Sequence, residues 1–298
     1  MRILVSRLSA LGDVVCSLPV AISLKSLWPD CNLTWLIDRR FRSIVECCTG
    51  VDQVIERPKK LQAVRDLGQF DVAIDLQGLL KSGLLVGFSR ARQKLGYHWQ
   101  REGSWLFSQR VLPDATSNHI VDQYVDVARA IGASTDRAEF GLFPKPEDVD
   151  SVRIKLFEGG WDGSPFILAN PGAGWLTKRW SPSKYVEFTQ RSSLPCVIMG
   201  AKSERDALAE VVKGEVRNID MVGKTSIGEL VALVSLCSVC VGGDTGSTHL
   251  GAALAKPTVG IYTLTRLERS CPYGQIDNCF QGDPSVNDVH RKVESLMP

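Results

Sequence analysis

Long hydrophobic runs are missing from this chain. None approaches the ~18 apolar residues that a membrane-spanning helix needs, and the richest, Leu230 to Val241, is broken by Ser235 and Ser238. A bilayer-spanning protein is therefore not expected. A secretion signal is not expected either, because Arg7 and Asp13 fall where an unbroken apolar region would be required. Nine cysteines, an odd number on a chain where no export signal is expected, read as reduced thiols in cytosol. Neither sign of charge dominates: 35 Lys and Arg against 33 Asp and Glu leave +2, too little to draw the whole protein onto nucleic acid or membrane. Low-complexity tracts and short repeats are absent, and 44% hydrophobic with 23% charged residues matches soluble globular usage. Disordered, collagen-like and coiled-coil chains are excluded.

What is present is enough chain for two domains, since domains mostly run ~100–200 residues and this chain has 298. Short β-rich runs alternate with segments of helical period, the pattern of βαβ units and parallel sheets. The front half predicts strands at Arg2–Ser6, Leu33–Ile37, Gln53–Ile55 and Val72–Leu76. Helices are expected near Val14–Leu27, kinked by Pro19, and near Phe41–Cys48, Leu61–Leu67, Leu79–Phe88 and Ile120–Ile131. The back half predicts strands at Phe166–Ala169, Cys196–Met199, Ile219–Val222, Ser238–Val241 and Thr258–Ile261. Its helices fall near Pro182–Arg191, Glu204–Val212, Ile227–Val234, Thr245–Ala255 and Val286–Leu296. Between the halves, Phe143-Pro144-Lys145-Pro146-Glu147-Asp148 reads as a stiff polar segment that cannot continue a helix. The expected division is an N-terminal domain over 1–145, a C-terminal domain over 146–284 and a closing helix over 285–298. The fold class is α/β, with two parallel-sheet domains facing each other across a cleft.

Four places carry residues suited to chemistry. Arg7-Leu8-Ser9-Ala10-Leu11-Gly12-Asp13 ends the first strand and enters a helix, where parallel sheets bind ligands, without the Gly-x-Gly-x-x-Gly dinucleotide fingerprint. Asp13 there reads either as a helix N-cap or as a general base. Asn170 to Trp180 follows the first strand of the second domain, with small residues for close backbone approach and Lys178 as a compact charge for phosphate. It lacks the ending of a Walker A loop. In Val241 to Ala253, paired glycines, Asp244 and Thr245 open a helix whose free N–H groups and dipole make an anion site, with His249 one turn on. Ser203 and Glu204 read as a plain cap with a first-turn acid, or as an acceptor for ribose hydroxyls. Cys237, Cys240, Cys271 and Cys279 form a weak candidate metal quartet, set aside because the first pair sits in an apolar run.

Basic residues gather in front: 19 basic against 15 acidic over 1–145, and 16 against 18 over 146–298. The clusters Arg39/Arg40/Arg42, Arg57/Lys59/Lys60/Arg65 and Arg90/Arg92/Lys94/Arg101 are solvated surface singly, and together suit an anionic partner. Trp99 and Trp105 around Arg101 read as core and rim rather than a nucleic-acid platform, so no nucleic-acid partner is expected.

Ser9-Ala10-Leu11-Gly12-Asp13-Val14, Asp75-Leu76-Gln77-Gly78-Leu79-Leu80-Lys81-Ser82, Lys178-Arg179-Trp180-Ser181-Pro182 and Asp244-Thr245-Gly246-Ser247-Thr248-His249-Leu250 occur in this order. In that order and spacing the chain resembles, over nearly its whole length, the ADP-heptose:lipopolysaccharide heptosyltransferases of Gram-negative bacteria (glycosyltransferase family 9, GT-B fold). Gly96 to Glu102 looks more like the members that add the first heptose. The resemblance implies Asp13 as catalytic base and Lys178 on the donor diphosphate. It further implies Ala173 and Gly174 at a phosphate loop, Glu204 at the ribose, Thr225 at the adenine and Asp244 at the heptose hydroxyls. Thr245, Gly246 and His249 fall at its phosphate-binding helix start. Acceptor contacts are expected from Arg57, Lys59, Lys60, Arg65 and Lys81. Where the family usually continues Tyr-Gly-Pro-Thr-Asp, this chain has Tyr262-Thr263-Leu264-Thr265-Arg266.

The activity this implies is inverting, metal-independent transfer of heptose from ADP-heptose to the Kdo/lipid A core, with no cofactor. The partners implied are ADP-heptose, Kdo-lipid A and the cytoplasmic face of the inner membrane. Rival readings are a second-heptose transferase, a sugar-nucleotide epimerase of the same fold, or a two-domain solute-binding protein, which would need export.

Overall fold

The computed structural model describes residues 1–172 and 179–297. Two compact units divide the chain, Met1–Phe143 and Pro144–Pro298. The first unit runs β1 (Arg2–Ser6), α1 (Leu11–Ser17), α2 (Pro19–Leu27), β2 (Asn32–Ile37), α3 (Arg42–Glu46), β3 (Gln53–Glu56), α4 (Leu61–Arg65), β4 (Gln69–Asp75), α5 (Leu80–Phe88), β5 (Arg90–Tyr97), β6 (Gln109–Val111) and α6 (Ile120–Arg129). The second runs α7 (Pro146–Glu158), β7 (Ile167–Asn170), α8 (Pro182–Arg191), β8 (Cys196–Ile198), α9 (Arg205–Lys213), β9 (Ile219–Asp220), α10 (Ile227–Leu236), β10 (Val239–Gly243), α11 (Gly246–Ala253), β11 (Thr258–Tyr262), α12 (Leu267–Ser270), β12 (Cys279–Gln281) and α13 (Val286–Leu296).

Each unit holds a six-stranded sheet, ordered β3-β2-β1-β4-β5-β6 in the first and β9-β8-β7-β10-β11-β12 in the second, which is the same order strand for strand. The paired strands are parallel, as in Ser6 beside Asp75 on β1 and β4 and Gly242 beside Asn170 on β10 and β7. Parallel strands are covered on both faces and so read as continuous apolar runs rather than alternating ones. Ile3, Leu4 and Val5 are all fully buried, as are Ile167, Ala169 and Val259. In the first unit Leu4, Leu8, Leu36, Phe70, Leu85 and Val86 pack together. In the second, α13 contributes Val286, Val289 and Val293 to a core that also contains Trp180, Tyr185 and Phe188. A fully buried side chain of this size contributes about 1.5–3 kcal/mol. In both units the winding reverses between the two central strands, β1/β4 and β7/β10, where such sheets open a ligand crevice at their carboxyl ends.

Two expectations are corrected and one strand is added. Pro19 does not kink one helix: α1 ends, Leu18 bonds back to Val15, and Pro19 starts α2 as its first residue. Phe143 to Asp148 is more than a linker, because Lys145 is the N-cap of α7, with Pro146 at N1 and Glu147 and Asp148 in the first turn, a favoured way to begin a helix. The basic run Arg90/Arg92/Lys94 is a strand, β5, with its charges on alternate residues.

One acidic anchor fixes α10 against α7. Ser226 and Glu229 form a reciprocal capping box, while Lys155 and Ser151 of α7 both bond Glu229 Oε1. Burial pushes the Glu229 carboxyl up, but these donors outweigh it and hold it at about 2. A depressed folded value contributes stability above the ordinary glutamate range, and that contribution is lost as pH falls from about 4.5 towards about 2. Thermal unfolding between pH 7 and pH 3 is therefore expected to show a smaller acid-induced drop for Glu229→Gln than for the wild type. Equal drops would remove Glu229 from the account.

Candidate active site

At the first switch point the loop after β1 meets the loop after β4. Arg7 is 5% exposed. Its Nη2 lies 2.6 Å from Asp13 Oδ2, its Nη1 donates to the Leu76 carbonyl at 2.6 Å, and its guanidinium stands 5.3 Å from the Tyr124 ring centroid. Burial alone would lower the Arg7 pKa, and its ionisable neighbours Tyr124, Asp13 and Asp75, with the Asp13 hydrogen bond, outweigh this and raise it. The Asp13 side chain is 51% exposed. The N-cap reading of Asp13 is corrected: Ala10 occupies the cap, and Asp13 stands in the first turn of α1 bound to Arg7. A fixed cation on one side and solvent on the other leave this carboxylate oriented yet reachable.

The β4 loop supports the same corner. Gln77 Oε1 accepts from the Leu8 N–H at 2.9 Å, locking the two loops together. Asp75 is fully buried, and its Oδ1 accepts from the N–H groups of Gln77 and Gly78 at 2.9 and 3.0 Å. Burial pushes the Asp75 carboxyl up, against the pull of those N–H groups, Ser82 and Arg7. Arg7, Asp75 and Gln77 lie within the quoted motifs, and no role was read for them from sequence.

The basic candidates separate. Arg57 Nε bonds Asp38 Oδ1 at 2.8 Å, and Lys81 Nζ lies 3.8 Å from Asp38 Oδ2, so these two share one carboxylate. Lys59 and Lys60 follow β3 and are exposed. Arg65 ends α4 and interacts instead with Lys94, whose ammonium is lowered by burial first and by Arg65 second. No ion pair joins Arg65 to Asp38 among the described residues. Trp99 and Trp105, expected as core and rim, are 47% and 53% exposed.

At the second switch point Asn170, at the end of β7, is the tie. Its Nδ2 donates to Ser247 Oγ at 2.8 Å and to Thr245 Oγ1 at 3.3 Å, and its Oδ1 accepts from Gly172 N–H at 3.1 Å. One amide thus sets the loop after β7 against the start of α11. Thr245 is the N-cap of α11 and Gly246 its first residue, so the first-turn N–H groups of that helix stand at this corner. Asp244 Oδ2 accepts from Thr265 Oγ1 at 2.7 Å, and Oδ1 lies 3.9 Å from His249 Nε2. Thr265 belongs to the divergent 262–266 segment, so that segment still reaches Asp244.

Glu204 Oε1 pairs with Arg179 at 2.8 Å, and Oε2 accepts from Ala201 N–H at 2.9 Å. Both carboxylate oxygens lie 2.6 Å from where a Cβ on Gly172 would stand, so a larger residue there would push the Glu204 carboxylate aside. Thr225 lies in the loop between β9 and α10, half-buried. Ala173, Gly174 and Lys178 lie outside the described residues.

The cysteine quartet does not assemble. Cys237 and Cys240 Sγ are 3.3 Å apart and buried, but no group of three His, Cys, Asp or Glu suited to a metal occurs among the described residues. One Asp-x-Asp triplet, Asp148-Val149-Asp150, stands in α7, where side chains two apart do not face each other. No helix among the described residues is long and apolar enough to cross a membrane.

Two sheets of identical order, each with a polar corner at its switch point, define an α/β enzyme of the GT-B type. Residues 59–296 match glycosyltransferase family 9 (heptosyltransferase), and the chain belongs to that family. It is 24% identical to the lipopolysaccharide core heptosyltransferase OpsX of Haemophilus influenzae over 91% of this chain and 82% of that protein. It is 25% identical to lipopolysaccharide heptosyltransferase 1 of Escherichia coli over 89% of this chain and 88% of that protein. The fold is that of E. coli ADP-heptose heptosyltransferase II, with a TM-score of 0.84, 20% identity and coverage of 99% of this chain and 98% of that one. The E. coli heptosyltransferase WaaC with ADP gives a TM-score of 0.77 at 20% identity, covering 99% and 97%. The family match begins beyond Arg7 and Asp13, whereas the structural likeness spans 99% of the chain.

Proposed function

We propose that this protein is an inverting heptosyltransferase that moves a heptose from ADP-heptose to the Kdo sugars of lipid A. The observation that carries the reading is the half-exposed Asp13 carboxylate, clamped by buried Arg7 at the carboxyl end of β1 in a member of a heptosyltransferase family. Asp13 takes the proton of the acceptor hydroxyl as its oxygen attacks the anomeric carbon, and the ADP–sugar bond breaks in the same displacement. Charge then grows on the leaving diphosphate. Lys178, residues 173–174 and the start of α11 at Thr245–Gly246 stabilise it. Asp244 faces the heptose, His249 belongs with Thr245 and Gly246 to the phosphate-binding helix start, Glu204 faces the ribose and Thr225 the adenine.

In this reading the first unit binds the acceptor, using Arg57, Lys59, Lys60 and Lys81 for its phosphates and carboxylates, and the second binds the donor. Protein cations serve the diphosphate, so neither a metal nor another cofactor is assigned. The enzyme acts in the cytoplasm, peripherally on the inner membrane. Mass spectrometry with ADP-heptose and Kdo-lipid A, with and without EDTA, tests all of this. The expected result is a heptosylated acceptor in both. Isomerised nucleotide sugar without transfer would establish an epimerase, and loss on chelation would overturn metal independence.

A further inference from the structure

Because the first sheet is parallel, every segment that follows a strand's carboxyl end emerges along one edge, the edge that also carries Asp13. Lys59 and Lys60 follow β3, Leu80 follows β4, His98 and Trp99 follow β5, and Leu112 follows β6. The excursion from 98 to 108 does not wander from this edge. Gly78 carbonyl accepts both the Arg101 N–H at 2.7 Å and Ser104 Oγ at 2.9 Å, and the Leu80 N–H donates to Glu102 at 3.3 Å. These bonds pin Trp99, Trp105 and Leu106 beside Leu80.

The result is an apolar rim on the surface of a folded unit. Leu80 is 41% exposed, Trp99 47%, Trp105 53%, Leu106 76% and Leu112 72%. Clustered exposure of large apolar side chains marks a docking surface, whereas single exposed ones do not. The charge around the rim selects the partner. Lys59, Lys60, Arg101 and Arg110 make no ion pair among the described residues. Of the acids nearby, Asp38 is paired with Arg57 and Lys81, while Glu102 and Asp114 keep their charge and accept from the Leu80 N–H and Thr116, so the four unpaired cations outnumber the two unpaired acids. Trp99 lies under the Arg101 guanidinium, 5.9 Å from it. Indole rings and Leu at the level of unpaired Arg and Lys suit the headgroup layer of a bilayer, with apolar tips below it and cations at the lipid phosphates.

We propose that this rim docks the enzyme on an anionic phospholipid bilayer, inserting Trp105, Leu106 and Leu112 and setting the Asp13 edge against the membrane. It deepens the functional reading by naming which surface meets the membrane, and it rests on that reading only for the acceptor being a lipid. Basic residues add attraction that fades beyond a Debye length of ~8 Å at physiological salt. The apolar insertion does not fade in this way, so binding is expected to weaken with salt but not vanish.

The test uses the full chain and vesicles of phosphatidylethanolamine with phosphatidylglycerol, and phosphatidylcholine vesicles as the neutral comparison. Cosedimentation is expected to favour the anionic vesicles, with a blue shift of tryptophan emission. Leu106→Glu with Leu112→Glu is expected to lower vesicle affinity at least tenfold, whereas Val216→Glu, at a site 96% exposed in the other unit, leaves it unchanged. Transfer to an acceptor stripped of acyl chains should be equal in all three proteins, which also shows that each is folded. Unchanged vesicle binding in the double variant would overturn the proposal. So would a wild-type dimer in solution that the double variant abolishes, since a second copy would then cover the rim. Vesicle binding lost on Leu106→Glu/Leu112→Glu in a protein that transfers no heptose would leave the docking surface standing and refute the functional reading alone.

Discussion

Asp13→Asn is expected to lower kcat by ~10²–10⁴-fold, the usual cost of losing a general base, while leaving ADP affinity unchanged. The amide keeps the size of the carboxylate and still offers an oxygen to Arg7, so the corner between Arg7, Leu76 and Tyr124 survives. It cannot take a proton from the acceptor. Single-turnover transfer reports the chemical step, and calorimetry with ADP reports the donor site. Arg7→Met separates orientation from basicity. Alone it should lower turnover, because Asp13 loses the partner 2.6 Å away. Added to Asp13→Asn it should cost little more, since groups that act as a unit are not additive. A near-wild-type kcat in Asp13→Asn would make the Arg7–Asp13 pair structural. Full additivity would give Arg7 a role of its own.

The elements that sequence made legible were those whose signal is local. β1 is bounded at Arg2–Ser6 and α8 and α13 at Pro182–Arg191 and Val286–Leu296, because apolar runs and start signals mark them within a few residues. β5 was hidden because its alternating Arg90, Arg92 and Lys94 read as surface charge, although period-two alternation is itself a strand signal. α7 was hidden because prolines read as breakers, while Pro at N1 with acids behind it is a helix start. The site shows the same division. Motifs locate Asp13, Glu204 and Asp244, but their partners are distant in sequence: Gln77 meets Leu8, Asn170 meets Ser247, and Thr265 meets Asp244. Only the adjacency of β1 with β4, β7 with β10 and β10 with β11 brings these pairs together, and no spacing along one strand encodes it.

Lys178→Ala is the other large effect expected, a loss of ~10²–10³-fold in kcat/KM, comparable to removing one preorganised donor from a developing anion. Lys178 and the start of α11 are two of the elements that share the diphosphate in the proposed mechanism, and their magnitudes decide which of the two dominates. The open N–H groups at the start of α11 supply about 0.3–1 kcal/mol, up to ~2 where partly buried. An ammonium about 4 Å from a phosphate charge gains ~4 kcal/mol at an effective dielectric near 20. The lysine term is the larger, and it grows as the ADP–sugar bond breaks, so kcat should fall together with ADP affinity. Adenosine provides the control, because it lacks the diphosphate. Calorimetry should show Lys178→Ala weakening ADP and sparing adenosine. Glu204→Ala, which removes the carboxylate resting against Gly172, should weaken both. Equal ADP affinity in Lys178→Ala and wild type would remove Lys178 from the donor site and leave the helix start at Thr245–Gly246 as the diphosphate's principal support.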